Sequence, residues 1–344
     1  MSGLDRAAAD LLLQESKRIE PELIELRREF HRHPELSSEE SRTAQRVARM
    51  LAELGFSVRT GVGGHGVAAD LAGTGPGRTV ALRADMDALP IREETGLPFA
   101  SEVPGVMHAC GHDLHMSILL GAARLLSEHR GRWRGSVRLI FQPAEETLAG
   151  ARAMIEDGVL DGVDEIYGLH NQPLLPAGRM SIKTGALLAA ADRLEVKVRG
   201  RGGHGAMPEQ CRDPIAGAAA IVLGLQGAAK REMAAGEAHV VSIGTIHAGT
   251  ANNIIPDEAL LTGTVRSLSP QTRDRLEALI RRHAEHTAAA YGVQAEVTYI
   301  RQAPPLLNEP ECTEAVRRTA AMLHGEACVE EAEAVMGAED FAYY

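Results

Sequence analysis

Aromatic residues are scarce in this sequence, with one Trp, five Tyr and five Phe among 344 residues. Positive charge is also short. Lys and Arg total 36 against 47 Asp and Glu, a formal net charge of −11. Nucleic acids and anionic membranes are bound by clustered cations, and no basic block or aromatic-rich stripe supplies such a surface. Those two partner classes are therefore set aside. No run approaches the ~18 consecutive apolar residues of a membrane span. The four cysteines, Cys110, Cys211, Cys312 and Cys328, lie far apart, which argues against a disulfide framework and for reduced, mostly buried thiols. Residues 1–17 mix acids among apolar residues and lack the basic-then-apolar order of a secretory leader, so a cytoplasmic protein is expected. Neither an internal repeat nor a low-complexity tract is present.

What is present is an ordinary globular composition, 44% hydrophobic and 24% charged, long enough for one large α/β domain or two domains. Ile19, Leu23, Leu26 and Phe30 recur at helical spacing, predicting a helix over residues 11–33 stopped by Pro34. A second helix is predicted from Ser37, which with Glu40 has capping-box spacing, and Gly55 ends it. Short apolar runs at 67–71, 79–82, 137–141 and 165–169 read as strands, and residues 114–126, apolar nearly all round, read as a buried helix. This alternation predicts an α/β fold with a mostly parallel, mixed sheet. From about residue 190 the order becomes βαββαβ, the split-βαβ unit of a ferredoxin-like domain. Residues 190–302 are therefore expected to form a small inserted domain, with 1–189 and 303–344 forming the larger one.

Four clusters of chemically competent residues follow strand-like runs, where open α/β sheets bind ligands. Asp85 and Asp87, two apart, project the same way from an extended chain. Alone they are best read as a solvated acidic loop. His108, Cys110, His112 and His115 fall within eight residues, and Cys110 and His112 flank a Gly that lets both face one point. Thiolate and imidazole are zinc-type ligands, so a metal site outweighs a buried Cys with surface histidines. Glu145 and Glu146 are adjacent, so one carboxylate can hold a metal while the other takes a proton from water. A Glu pair on a solvated turn is an equal contender there. His170, after the fourth run, gains weight only from being the fourth such case.

The stretches LRADMDALPI (82–91), MHACGHDLHM (107–116), FQPAEE (141–146), GLH (168–170), GGHGAMP (202–208) and GTANNIIP (249–256) form an ordered set, preceded by FHRHPELS (30–37). The set resembles the amidohydrolase branch of the zinc-exopeptidase family, which includes aminoacylase, hippurate hydrolase and auxin-conjugate hydrolase. The resemblance implies a catalytic domain with two divalent ions (Mn, Zn, Co or Ni), and an inserted lid through which such chains often dimerise, so a homodimer is expected. It implies that Cys110, His112, Glu146 and His170 ligate metal, with Cys110 bridging, and that Glu145 is general base and then acid. Asp87 and Asp85 fall where relatives carry a His-x-Asp pair, which implies a catalytic role for Asp87 and second-shell support from Asp85. In the lid it implies that His204 stabilises the oxyanion, that Asn253 holds substrate, and that Arg266 pairs with the substrate carboxylate. The family pattern continues some tens of residues past GAEDFAYY (337–344) and carries a further ligating His there, whereas this sequence ends inside that motif. The implied reaction is metal-dependent hydrolysis of N-acyl-L-amino acids, hippurate-like or N-acetyl. Two rivals stand beside it: a carboxypeptidase or dipeptidase of the same fold, and a non-catalytic binding relative.

Overall fold

The apolar stripe that predicts the first helix buries Ile19, Leu26 and Phe30 in α1 (Arg6–Arg32). The computed structural model describes residues 6–344. The helix ends two residues before Pro34, because the residue preceding a proline disfavours helical backbone. Helix α2 (Ser41–Glu53) starts later than expected, and Glu40, not Ser37, is its N-cap residue, with no side-chain cap bond. The predicted capping box does not form. Ser37 Oγ donates instead to Asp87 Oδ2 at 2.7 Å, and Glu40 Oε1 accepts from Ser38 N and Ala144 N, both at 2.9 Å. Buried partners elsewhere in the fold outbid the local cap.

The chain continues through β1 (Ser57–Val62), β2 (Gly66–Ala72), β3 (Thr79–Asp85), α3 (His112–Glu128), β4 (Ser136–Gln142), α4 (Gly150–Glu156), β5 (Glu165–Gly168) and β6 (Met180–Ile182). Strand β1 was not legible in the sequence. Five of these strands form one sheet in the order β1-β2-β4-β3-β5. Strand β3 runs parallel to β4 and β5, while β2 is antiparallel to β1 and β4, so the sheet is mixed. Alternation along β4 feeds both faces. Leu139 and Phe141 join a core with Phe30, Val47, Leu51, Met116 and Leu120, and Ile140 joins Val62, Ala81, Met154 and Val159 on the other side. Each such fully buried side chain contributes about 1.5–3 kcal/mol. Register then fixes the site. Asp85 pairs with Gln142 and Arg83 with Gly168, so three parallel strands end side by side at one edge.

The second unit contains β7 (Gly185–Leu188), β8 (Ala190–Arg199), β9 (Gly203–His204), α5 (Pro214–Glu232), β10 (His239–Ala248), β11 (Ile254–Ile255), β12 (Glu258–Ser267), α6 (Pro270–Ala290), β13 (Gln294–Arg301) and β14 (Leu306–Asn308). Its four-stranded sheet has the order β10-β12-β8-β13, antiparallel throughout. Helices α5 and α6 bury Ile221, Leu225, Leu276 and Ile280 with Leu194, Val196 and Leu261 of that sheet. Both helices begin with a capping side chain followed by proline: Asp213 before Pro214, Ser269 before Pro270.

The unit runs from Lys183 to Asn308 and takes in Glu333–Ala342, wider than the expected 190–302. Pairing of β7 with β14 moves both edges outward, and bonds from Ala189 N to Gly337 O and from Val335 N to Leu187 O draw in the late segment. Helix α7 (Pro310–His324) and strand β15 (Val329–Glu331) return to the first unit, where β15 pairs parallel with β6.

Candidate metal centre and active site

Strand β3 delivers Asp85 and Asp87 into the interior, where both are fully buried. Asp85 Oδ2 accepts from Arg83 Nη1 at 2.7 Å and Oδ1 from His115 Nδ1 at 2.6 Å. Against the opposing effect of burial, the charge of Arg83 and the two imidazoles hold the Asp85 carboxyl well below the usual range. Asp87 Oδ2 accepts from Ser37 Oγ and from Glu146 N at 3.0 Å, and its Oδ1 lies 3.3 Å from His112 Nδ1. Its contacts are with Ser37, His112 and Glu146.

Helix α3 begins at His112 because Gly111, at φ +91°, turns the chain in a left-handed step. A Cβ on Gly111 would meet the Asn171 side chain at 2.3 Å, so only glycine fits. The turn presents Cys110 and His112 on one side. His112 Nδ1 donates to the Asp87 carbonyl at 2.8 Å, which leaves Nε2 as the outward nitrogen. That atom lies 3.6 Å from Asp85 Oδ2, 3.8 Å from Glu146 Oε1 and 4.0 Å from Glu145 Oε2. Burial works against a charge on His112, but Asp85 and Asp87 overcome it and push the imidazole up to about 12. Burial pushes the Cys110 thiol up as well.

Strand β4 ends in a tight loop that carries the glutamate pair. Ala144 and Leu148 adopt φ of +52° and +56°, and a Cβ on Gly150 would strike Pro143 O at 1.6 Å. Beyond β5, His170 Nε2 lies 3.4 Å from Cys110 Sγ, and its Nδ1 is 3.0 Å from Asn171 O.

Several triads of candidate ligand atoms, mutually within 4.8 Å, share His112: Cys110, His112 and His170; His112, Glu145 and Glu146; and Asp85, His112 and His115. Among the described buried atoms without a hydrogen-bond partner are His112 Nε2 and Glu146 Oε1. Buried polar atoms are ordinarily satisfied, and a divalent cation would satisfy both. Thiolate, imidazole and carboxylate form a donor set suited to first-row divalent metals, so the residues fit the two-metal expectation.

His115 belongs to this site and was given no role from sequence. Its Nδ1 lies on Asp85 and its Nε2 accepts from Asn171 N at 2.9 Å, so it ties the end of β3 to the loop holding His170. The signal was its place in the His-rich run. His108 is buried beside the site, where desolvation lowers its imidazole to about 4.

In the second unit, His204 on β9 is exposed and pairs in register with Ile254 of β11, while Gly205 N donates to Asn253 O at 2.8 Å. The structure thus brings His204 and Asn253 to one corner. Arg266 is not part of it. It faces Ala191 and Val240 near the far end of β12, eight residues from Glu258, or about 26 Å of extended strand.

Residues 81–344 match the model of peptidase family M20/M25/M40. The chain is 44% identical over 328 residues to N-acetylcysteine deacetylase of Bacillus subtilis (strain 168), covering 94% of this chain and 84% of that one. It is 42% identical over 337 residues to thermostable carboxypeptidase 1 of Saccharolobus solfataricus, covering 97% and 85%. The crystal structure of the Bacillus subtilis YXEP protein, a dinuclear metal-binding peptidase, superposes with a TM-score of 0.85 at 42% identity over 95% of this chain and 86% of that one. The chain belongs to peptidase family M20/M25/M40 and is a metallopeptidase-like amidohydrolase. Among its described residues no helix is long and apolar enough to cross a membrane.

Proposed function

We propose that the chain hydrolyses the amide bond of small N-acyl-L-amino acids, N-acetyl or hippurate-like, to a carboxylic acid and a free amino acid. The observation that carries this reading is the convergence on His112 of two groups of candidate ligands, Cys110 with His170 and Glu146 with Glu145. Divalent ions held by Cys110, His112, Glu146 and His170 would polarise the substrate carbonyl and acidify water. Mn, Zn, Co or Ni suits that set.

Glu145 takes a proton from water as the oxygen attacks the carbonyl carbon, then returns it to the amide nitrogen as the C–N bond breaks. Water is consumed and its atoms end on the acid and the amine. Asp87 is assigned to orienting His112 and Asp85 to fixing His115. We assign His204 to the oxyanion and Asn253 to the substrate backbone on their motifs, and propose a homodimer through the second unit.

N-acetyl substrates are favoured by the 44% identity to a protein named N-acetylcysteine deacetylase. A carboxypeptidase reading stands second, supported by the relative named for that activity. The test is product release from N-acetyl, N-benzoyl and dipeptide substrates, with added Mn²⁺ and with chelator, for wild type and Glu145→Gln. The expected result is chelator-sensitive cleavage of N-acyl amino acids and retained metal but lost turnover in Glu145→Gln. Preferential dipeptide cleavage would move the assignment to the peptidase reading. Near-wild-type turnover in Glu145→Gln would remove the base.

A further inference from the structure

Glu40 is a carboxylate with no solvent exposure, and the chemistry above does not use it. One of its oxygens, Oε2, is buried without a hydrogen-bond partner. The other reaches 104 residues along the chain to accept from Ala144 N at 2.9 Å, while also accepting from Ser38 N at 2.9 Å. Ala144 immediately precedes Glu145. Immediately after Glu145, the backbone N–H of Glu146 is held by Asp87 Oδ2 at 3.0 Å. Asp87 in turn accepts from Ser37, in the same turn as Glu40. The backbone N–H groups of the residues on either side of Glu145, Ala144 and Glu146, are therefore each fastened by a buried carboxylate.

The fastening matters because this backbone is not relaxed. Ala144 sits at φ +52°, a left-handed conformation that a residue with a Cβ keeps only when its surroundings over-determine it. The Ala144 carbonyl is bonded by Ala149 N and Gly150 N at 3.3 and 3.2 Å, so the loop closes from behind. On the N–H side, Glu40 is the group that holds the peptide.

We propose that Glu40 is a positioning residue for Glu145, which acts by anchoring the Ala144 amide and so setting where the Glu145 carboxylate stands. The inference rests on the reading of Glu145 as the general base. The requirement is reach, not charge. Glutamine at position 40 keeps an oxygen that can accept both N–H bonds. Aspartate keeps the charge but withdraws the oxygens by about one C–C bond, ~1.5 Å. A displacement of order 1 Å in a catalytic group can cost ~10²-fold in rate.

The test compares Glu40→Gln, Glu40→Asp and Glu40→Ala with Glu145→Gln in the full chain, reading kcat, KM, metal content and amide hydrogen exchange in the metal-free protein. Glu40→Gln is expected to stay within about threefold of wild-type kcat. Glu40→Asp and Glu40→Ala are expected to lose about 10- to 100-fold in kcat with KM and metal content little changed. In the metal-free protein their exchange should rise over residues 143–150 and stay unchanged over α3. Faster exchange across α3 as well, or loss of metal with loss of rate, would make Glu40 a general structural residue and overturn the proposal. Unchanged kcat in Glu40→Asp while Glu145→Gln is inactive would overturn it too. Should Glu145→Gln keep its turnover, the base reading fails separately, and unchanged exchange over 143–150 would still refute the anchor. If Glu40→Ala does not fold, the Gln and Asp variants decide.

Discussion

Replacing Gly111 by Ala isolates the constraint that sets Cys110 beside His112. Two costs are visible. The backbone sits at φ +91°, and an L-residue in left-handed backbone costs about 1–2 kcal/mol. The new Cβ would also lie 2.3–2.8 Å from three atoms of the Asn171 side chain. Forcing a methyl group into a packed site costs about 1–3 kcal/mol. Together the loss is about 2–5 kcal/mol, or a fall in melting temperature of about 4–20 °C at 2–4 °C per kcal/mol for a domain of 150–250 residues. The two costs separate in a double-mutant cycle. Asn171→Ala removes the clashing side chain but keeps the backbone bond from Asn171 N to His115 Nε2. In that background Gly111→Ala should cost only the backbone part, so a coupling of about 1–3 kcal/mol is expected. The assay is thermal and urea unfolding of the four proteins, with metal content measured in parallel. Additive effects would show that the Asn171 contact does not constrain the turn. An unchanged melting temperature in Gly111→Ala would refute the left-handed backbone itself.

Two further outcomes follow from the same geometry. Ser37→Ala removes one donor to Asp87 Oδ2 and leaves the Glu146 N–H in place. It should cost about 1–3 kcal/mol of stability and weaken metal affinity about 10- to 100-fold in a competition titration, and unchanged affinity would remove Ser37 from the support of the site. His31 is buried, and its bond to Asp113 raises its imidazole, with burial opposing and the Asp113 charge adding to the rise. A raised folded-state value means the stabilisation is complete below the unfolded value of about 6.5 and is lost as pH rises through the folded one. The stability gap between wild type and His31→Gln should therefore be widest near about pH 5.5–6 and narrow on going alkaline. A gap that widens with pH in urea unfolding would reverse the assignment.

The alternation of strands and helices was legible because burial on both faces leaves β4 a short apolar run while α1 keeps a helical stripe, and both survive as residue patterns. The Cys–His cluster was legible for a different reason. Cys110, His112 and His115 are compressed into one turn, so their chemistry is visible without the fold. Ser37 and Glu40 were misread for the converse reason. Their spacing satisfies a local helix-cap rule, but their partners, Asp87 and Ala144, lie 50 and 104 residues away. No local pattern reports a hydrogen bond across such a separation. Strand β1 was missed because its residues are mostly exposed and its register slips between Thr60 and Val62.

The acids of the site divide by what neutralises them. Asp85 is held by Arg83, and Asp113 by Arg27 and His31. These pairs are built into the fold, and they fix the end of β3 and the start of α3. Asp87 and Glu146 instead face His112, whose Nε2 also looks toward Glu145. The charge that balances this second group in the bare chain is the proton that Asp85 and Asp87 keep on His112, against its burial. A proton is a small share of the positive charge that a thiol and two glutamates converging on one imidazole can stabilise. A divalent ion held by His112 and Cys110 would need the imidazole neutral and the thiol ionised, so on the proposed reading metal binding releases protons and strengthens as pH rises.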